Sequence, residues 1–474
     1  MTEVYDDDLK QWYDLPWKKI TYKIEKLQKR LAEAAHNQDW SRVRKLQKLI
    51  LRSHYAHLLA VHRVTMKKQK RTPGIDKKFW HTTEERFNAV EYLKNNWQTH
   101  HFSPLMRVII PKDSDRTKTR PLSVPKIIDR AMQALYLLAI DPVVEEIADT
   151  HAYGFRKNRS AQDAIKDIRY NFDLLNTRTW VAKADIHECF DHVSHEWLIK
   201  NTPFIPERIA NMLSCGYISK HKYYPITEGV PQGGVISPVL STIALSGFEK
   251  ILANKYGNSV KIVRFVDDYL FASYSPKILK DVIQDLQEFL SVRNLSLSQN
   301  KTQICHISEG VNFIGWFIIK YHDRLIFVPS KKSYDDVIHK LKEKMRQGLA
   351  WEQDELISKI NDLINGWGLY HNYACTPDLF MEIDDLVLDM AWKWCKTKNP
   401  NMTEKQIYET YFYKENKNNL MFGSPEKHIL KMSDLRVGDT INPKSFKNPY
   451  IYRNTTINKK RVVWDSRDNN YLNK

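Results

Sequence analysis

Two stretches of this sequence place carboxylates where carboxylates could do chemistry. Arg264-Phe265-Val266-Asp267-Asp268-Tyr269-Leu270-Phe271 sets an aspartate pair between β-branched and aromatic residues, the pattern of two strands meeting at an acidic tip. Adjacent carboxylates at a tight turn repel one another unless a divalent cation lies between them. In isolation the pair is explained more simply by an Asx-type turn, which aspartate forms for its own backbone reasons. A second strand, Trp180-Val181-Ala182-Lys183-Ala184-Asp185-Ile186, also ends in an acid and runs into His187-Glu188-Cys189-Phe190-Asp191. If the two strands are sheet neighbours, Asp185 faces Asp267 across a small gap. Three carboxylates could then hold two Mg²⁺ ions about 4 Å apart, activating a 3′-hydroxyl and stabilising a leaving pyrophosphate in an in-line displacement.

Between these strands lies Glu228-Gly229-Val230-Pro231-Gln232-Gly233-Gly234-Val235-Ile236-Ser237-Pro238. It reads as a glycine-rich loop entering a helix, with Ser237 as N-cap and Pro238 in the first helical position. From Arg107 onward, short β-like runs alternate with longer helical ones: residues 106–110, then 127–147, 161–170 and the strand at 180–186. That alternation predicts an α+β or α/β domain. Past about residue 335 the β signal fades, and residues 337–345, 355–370 and 379–396 read as helices.

The chain has 474 residues, with 73 Lys plus Arg against 56 Asp plus Glu and a net charge of +17. Its length suggests several folded units, and 42% hydrophobic residues exclude a disordered chain. The charge is not evenly spread: residues 1–75 carry 17 basic and 8 acidic side chains, residues 396–474 carry 16 and 8, and the middle is neutral. Basic flanks around a neutral centre look like grips on a polyanion, although solvated lysine-rich surfaces would give the same count. The N-terminal flank reads as two amphipathic helices. Ile20, Ile24, Leu27 and Leu31 form one apolar stripe, and Val43, Leu46, Leu49 and Ile50 form another. Lysines and arginines fill the remaining faces, and Thr72-Pro73-Gly74 marks a boundary. The last fifty or so residues, with Asn442-Pro443, Asn448-Pro449 and Lys459-Lys460-Arg461, read as loop-rich and ordered mainly by a partner.

No apolar run approaches the ~20 residues needed to cross a bilayer, so no membrane association is expected. The acidic start at Asp6, Asp7 and Asp8 is unlike a secretory signal. An intracellular setting is expected: bacterial cytoplasm or nucleoid, or an organelle. The five cysteines, Cys189, Cys215, Cys305, Cys375 and Cys395, are irregularly spaced and read as ordinary buried thiols.

Several short motifs recur in a particular order: Asp185 with Phe190 five positions on, Pro231-Gln232-Gly233-Gly234, and Phe265-Val266-Asp267-Asp268. They resemble the palm motifs of a reverse transcriptase, and more specifically the group II intron-encoded reverse transcriptase/maturase family. The same resemblance extends to Lys118-Thr119-Arg120-Pro121-Leu122, Asp129-Arg130-Ala131-Met132-Gln133, Tyr153-Gly154-Phe155-Arg156 with Arg159-Ser160, Asn300-Lys301-Thr302, and Phe313-Ile314-Gly315-Trp316. Asn365-Gly366-Trp367-Gly368-Leu369-Tyr370, followed by Trp392-Lys393-Trp394, is similar to that family's helical thumb, or X domain.

The resemblance implies an α+β right-hand polymerase followed by an α-helical thumb. The expected divisions are a basic extension (1–75), fingers and palm (76–335), a thumb/maturase domain (336–420) and a basic tail (421–474). It implies an RNA-directed DNA polymerase that extends a primer 3′-hydroxyl on an RNA template and binds its intron RNA as a splicing maturase and mobility factor. Asp185, Asp267 and Asp268 would be the catalytic carboxylates, holding two Mg²⁺ ions (Mn²⁺ being the alternative) together with the Ile186 carbonyl. Lys112 and Arg120 would reach the dNTP triphosphate, with Arg116 or Lys118 able to replace Lys112 in a lengthened loop. Gln232 would line the nucleotide pocket, and Lys301 would donate a proton to the leaving pyrophosphate.

Phe190, beneath the sugar, would clash with a 2′-hydroxyl and so select deoxynucleotides; the bland alternative is a core aromatic at a strand end. The thumb tryptophans are more readily read as helix packing than as RNA platforms. Expected partners are structured intron or template RNA, an RNA/DNA template-primer duplex and dNTPs, with a homodimer open. Two departures stand out: no paired cysteines of an HNH endonuclease region follow, so no cleavage of target DNA is expected, and Val266 stands where the family typically has alanine. Two other readings remain: a host-adopted relative in DNA repair or phage defence, and an RNA-binding splicing factor without polymerase activity.

Overall fold

The computed structural model describes residues 11–66, 73–112, 115–173, 179–322, 324–373, 377–416, 419–435 and 448–452. The strands that position the carboxylates are, in chain order, β1 (Leu105–Lys112), β2 (Asp115–Val124), β3 (Trp180–Asp185), β4 (Tyr217–Ser219), β5 (Lys222–Tyr224), β6 (Val260–Phe265), β7 (Asp268–Ser273) and β8 (Gln303–His306). They form two sheets, ordered β2-β1-β4-β5 and β6-β7-β3-β8. The second sheet is antiparallel throughout. Helices back it, as the alternation of short β-like and longer helical runs predicts, and the α+β class holds.

The N-terminal helices Trp17–His36 and Trp40–Arg52 form as their apolar spacing predicts, and a third, His54–Thr65, follows them. Their buried stripes pack on the helix Ile127–Ile147, whose residues from Ala131 to Ile140 are almost entirely buried. One stripe position differs from expectation: Leu49 is exposed, and the polar Gln47 is buried instead. The long helix explains the substitution. Pro142 lies inside it and cannot donate a backbone N–H to Leu138, four residues earlier. Gln28 Nε2 donates to that Leu138 carbonyl at 2.9 Å, and Gln47 Nε2 donates to the neighbouring Ala139 carbonyl at 3.1 Å. Two glutamines from the basic flank thus satisfy carbonyls around a proline in the central helix.

A smaller sheet of β9 (Val311–Phe313), β10 (Trp316–Tyr321) and β11 (Arg324–Pro329) continues from the palm. Beyond it the helices Lys331–Gln347, Gln353–His371 and Pro377–Lys398 build a separate apolar core. The palm meets these helices through Trp316, whose ring lies 4.5 Å from that of buried His371. Tyr370 donates its hydroxyl to the Ile314 carbonyl at 2.7 Å. Burial drives the His371 pKa down to about 3, so the imidazole stays neutral among these rings.

Two expectations for the C-terminal part are corrected. The β signal does not end at 335: β12 (Phe412–Asn416) and β13 (Asn419–Phe422) form a hairpin. Residues past 420 are not simply a loop-rich tail, because Phe422, Ile429 and Met432 are buried in the same core as the thumb helices. Asn361 accepts from Leu430 N at 2.8 Å and donates to the His428 carbonyl at 2.9 Å, which ties this segment to the helix Gln353–His371. Farther on, Asn448 Nδ2 donates to Glu146 at 2.6 Å, and the Tyr450 hydroxyl donates to Asp141. These segments are ordered by their own chain. Cys375 and the basic run Lys459-Lys460-Arg461 lie outside the described residues.

The basic flank is therefore half core and half surface: Lys18, Lys19, Lys23, Lys26 and Lys29 are all exposed on a helix whose other face is buried. Deleting residues 1–70 would remove that buried face, and loss of folded protein is expected. Changing the five lysines to glutamine should leave the melting temperature nearly unchanged. It should also reduce the slope of log RNA affinity against log salt, by about 0.7 for each lysine that neutralises a phosphate. Binding titrations at graded KCl concentrations check this, and an unchanged slope would leave the lysines as a solvated surface.

Candidate active site

β3 and β7 are antiparallel neighbours, and their register sets Asp185 opposite Asp268. The expected facing of Asp185 and Asp267 is corrected by one residue. Phe265 pairs with Asp268 across the β6–β7 hairpin, so Val266 and Asp267 are the two loop residues and Asp268 is the first on the ladder. Residues directly opposite on an antiparallel pair project to the same face about 5 Å apart. Asp185 and Asp268 therefore share a face, with Asp267 at the tip beside them.

The turn itself is unusual. Val266 has φ +56°, a left-handed conformation that a β-branched side chain rarely adopts. It is the only central residue of the turn with positive φ, as in a type II′ hairpin, where glycine is normal. The surroundings hold it there. Arg264, buried on β6, donates from Nη1 to the Val266 carbonyl at 3.1 Å. Tyr153 N donates to the Arg264 carbonyl at 2.8 Å, and Arg264 N to the His151 carbonyl at 2.9 Å, which lays residues 151–154 along β6. Gly154 sits directly under the turn: a Cβ added to it would lie 2.3 Å from Val266 Cγ2. The Tyr153-Gly154-Phe155-Arg156 motif is thus a buttress. Its Arg156 is locked by Glu145 at 2.8 Å, an ion pair buried on both sides. In the sequence the one mark of this role is the glycine of the motif. Arg264 and Lys183 stand beside the acids in the sequence, but only the fold shows their partners, the Val266 carbonyl and Asp268.

Electrostatically the site is strained in the absence of a cation. Burial, with Asp267 and Asp185 nearby, pushes the Asp268 pKa up to about 6 from 3.8, against the opposing pull of Lys183 at 4.0 Å. Burial likewise raises the Asp267 pKa, with Asp185 adding to it. Lys301 Nζ donates to Asp185 Oδ1 at 2.9 Å. Burial works against its charge, but the Asp185 carboxylate outweighs that and holds the Lys301 pKa above its ordinary value. Lys301 is aimed by a short turn, Gln299–Lys301, anchored where Ser298 N donates to the Asp185 carbonyl at 2.8 Å. A set of oxygen donors that resist ionisation together fits hard divalent cations.

The residues expected to line a nucleotide pocket are linked through the loop at 228–238. Phe190 is half-buried on the short helix Cys189–His192 and meets Phe155 edge-on at 6.1 Å. Its carbonyl accepts from Val230 N at 2.7 Å. Gln232 Nε2 donates to Asp191 at 3.3 Å, and the Gln232 carbonyl accepts from Ser123 N of β2 at 2.7 Å. Gly229 and Gly233 are needed in this loop: both have positive φ, and a Cβ would lie 2.5 Å from the Asp191 carbonyl oxygen and 2.9 Å from that of Ser123. The helix starts one residue earlier than expected, with Ile236 as N-cap. Ser237 instead donates its hydroxyl to the Pro231 carbonyl at 2.7 Å, closing the loop on itself. Ile186 is buried beside Asp185 and bridges to Leu297. Arg120 is half-buried on β2, opposite Ile110. The side chains of Lys112, Arg116 and Lys118 lie outside the described residues.

Of the thumb tryptophans, Trp394 is buried, and Trp392 packs 5.4 Å from Phe412. Trp367 Nε1 donates to Ser333 at 3.0 Å. All three are packing residues, as their helical spacing suggests.

Comparison with known proteins gives three matches along the chain. Residues 110–318 match the reverse transcriptase (RNA-dependent DNA polymerase) family, residues 12–93 the N-terminal domain of reverse transcriptase, and residues 335–412 the maturase-specific domain of group II introns. Protein YkfC of Escherichia coli is 29% identical over 351 residues, which cover 64% of this chain and 90% of that protein. Maturase-like protein 1 of Euglena longa is 26% identical, covering 77% of this chain and 79% of its own. The group II intron-encoded protein LtrA of Lactococcus lactis is 29% identical over 177 residues, 36% of this chain and 28% of that protein.

The raised Asp268 pKa has a consequence for stability. A carboxyl that holds its proton more tightly folded than unfolded favours the fold when protonated. The resulting destabilisation grows as pH rises from 3.8 to about 6 and is full above that. In metal-free buffer at about pH 8, Asp268→Asn should therefore be more stable than wild type by on the order of 2 kcal/mol. The gap should close near pH 4 and shrink when Mg²⁺ is added to the wild type. Urea melts in EDTA across this pH range check it.

Proposed function

We propose that this chain, which matches the reverse transcriptase family over residues 110–318 and the maturase-specific domain of group II introns over residues 335–412, works as an RNA-directed DNA polymerase of the group II intron type, and that its residues divide the work as follows. Asp185, Asp267 and Asp268, with the Ile186 carbonyl, hold two Mg²⁺ ions. The observation that carries this is the register of β3 against β7, which gathers three carboxylates on one desolvated sheet end, where Lys183, Lys301 and Arg264 offset only part of their charge. Bound there, divalent ions would ease deprotonation of a primer 3′-hydroxyl and offset charge on the departing pyrophosphate.

The protein's own groups do the rest. Lys301, kept protonated by Asp185, is suited to deliver a proton to the pyrophosphate as the bond to the α-phosphorus breaks. Arg120, on the β2 strand that the Gln232 loop touches, and Lys112 neutralise the triphosphate. Gln232 is held by Asp191 and β2 so that it lines the nucleotide pocket. Phe190, gripped through its carbonyl and faced by Phe155, presents a rigid ring to the sugar. The substrates are dNTPs and an RNA-templated primer. The maturase-specific region and the exposed lysines of the N-terminal helices grip template and intron RNA, which makes the protein a splicing maturase as well as a polymerase. A splicing factor with a vestigial polymerase site is disfavoured, since such a site has no need of three gathered carboxylates with a lysine on one of them.

Primer extension on an RNA template with dNTPs and Mg²⁺ tests the catalytic assignment: Asp267→Ala should extend no primer while remaining folded and RNA-bound, and wild-type-like extension would refute it. For Phe190→Ala, incorporation of rNTPs relative to dNTPs should rise at least about tenfold, the least expected when a steric clash of 1–3 kcal/mol is relieved. Unchanged sugar discrimination would return Phe190 to a packing role.

A further inference from the structure

The segment that leaves β3 carries a second group of ligand-type side chains, which the polymerase reaction does not use. Ring nitrogens of His187 and His192 and a carboxylate oxygen of Glu188 all lie within 4.8 Å of one another. We propose that His187, Glu188 and His192 form a binding site for a divalent cation of the Zn²⁺ class, separate from the aspartates that hold Mg²⁺. The proposal goes beyond the polymerase reading and does not depend on it.

The geometry suits an ion. His192 Nε2 and Glu188 Oε2 form an i,i+4 ion pair at 3.3 Å, a separation that two ligands of one ion also have. Two donors each about 2.1 Å from one ion, at a tetrahedral angle, are separated by about 3.4 Å. The opposite ring nitrogen, Nδ1, lies 3.1 Å from Glu228 Oε1. Glu228 is itself fixed by Asn294, whose Nδ2 donates to it at 2.5 Å and to the His192 carbonyl at 2.9 Å. A carboxylate that takes one imidazole N–H and leaves the other nitrogen free to ligate is the usual outer support of a metal-bound histidine. The His187 ring lies nearly parallel to that of His192, 15° between planes and 6.0 Å between centroids.

The backbone conformation at Glu188 helps to set this arrangement. Glu188 has φ +43°, in the left-handed region that side chains other than those of glycine, asparagine and aspartate seldom occupy. The frame around it is firm: His187 N donates to the Ser296 carbonyl at 2.9 Å, and Asp191 N to the Glu188 carbonyl at 2.8 Å. The left-handed conformation accompanies a carboxylate brought against His192, four residues on.

The donor set decides the class of ion. Two imidazoles and one carboxylate suit Zn²⁺, Co²⁺ or Ni²⁺, whereas Mg²⁺ prefers oxygen ligands. His187 and Glu188 are exposed, so a fourth position is open to water or to a group from bound nucleic acid. The three ligands bracket Phe190 and Asp191. An ion there would clamp the short helix that carries the sugar-facing ring and the partner of Gln232.

Titration of the chelator-treated full-length protein with Co²⁺, in buffer with excess Mg²⁺ to occupy the carboxylates, tests the site through the visible absorption of the bound ion. One equivalent should bind saturably to wild type and be displaced by Zn²⁺. His187→Lys/His192→Asn should bind at least tenfold more weakly, and Asp267→Asn/Asp268→Asn should bind as wild type does. The substituted histidines are largely at the surface, so both variants can be checked for wild-type folding by circular dichroism. No saturable binding by wild type, equal binding by the histidine variant, or loss of binding only in the aspartate variant would each overturn the assignment.

Discussion

Asp185, Asp267 and Asp268 are brought to one end of a sheet by the pairing of β3 with β7, and like charges at that spacing oppose the fold that gathers them. Lys301 and Lys183 relieve part of the repulsion, and the Asp267 and Asp268 pKa values remain raised. Much of the architecture follows from the need to hold this arrangement. A hairpin of fixed length places Asp267 in the loop and Asp268 on the ladder. A buried arginine grips the Val266 carbonyl, and a glycine clears space beneath its side chain. Each support acts on backbone position, which a repelling side chain cannot relax without breaking sheet hydrogen bonds.

The supports extend outward in a connected order. The residues after Ala152 run beside β6 and are locked by the buried Arg156–Glu145 pair, and Glu145 belongs to the central helix Ile127–Ile147. That helix is wrapped by the N-terminal helices, whose Gln28 and Gln47 satisfy carbonyls around its proline. The glycine-rich loop spans from β2 to the Phe190 helix through backbone contacts that admit no Cβ. Trp316, Tyr370 and His371 join the palm to the thumb helices through apolar contact and one hydroxyl bond. The N-terminal basic flank is part of the framework: its lysines face outward because the opposite face of each helix is committed to the core.

Element types were largely legible beforehand. The helix Ile127–Ile147 has its expected bounds, the three thumb helices fall where the period of apolar residues puts them, and the two acid-bearing strands are strands. Local pattern failed where long-range contacts decide. Leu49 follows the apolar stripe yet is exposed, and Gln47 is buried because its amide bonds the carbonyls of Ala139, ninety-two residues away, and Pro203. The hairpin Phe412–Phe422 falls where the pattern predicts the end of a helical domain, and residues 429–432 pack into the core where it predicts a tail, since strands this short have little periodicity of their own. Ser237 reads as a helix cap but spends its hydroxyl on a loop carbonyl.

The sequence by itself determined the candidate inventory: three carboxylates, a lysine and an aromatic ring, in an order that resembles a polymerase's. Those identities are properties of single residues and of their spacing along the chain, and folding does not change them. Tertiary structure alone decided that Asp185 sits across from Asp268, that Val266 is held left-handed over Gly154, that Lys301 reaches Asp185 across 116 residues of chain, and that His187, Glu188 and His192 converge. Register, turn conformation and contacts between distant segments arise from the packing of whole elements against one another, and no local pattern encodes them.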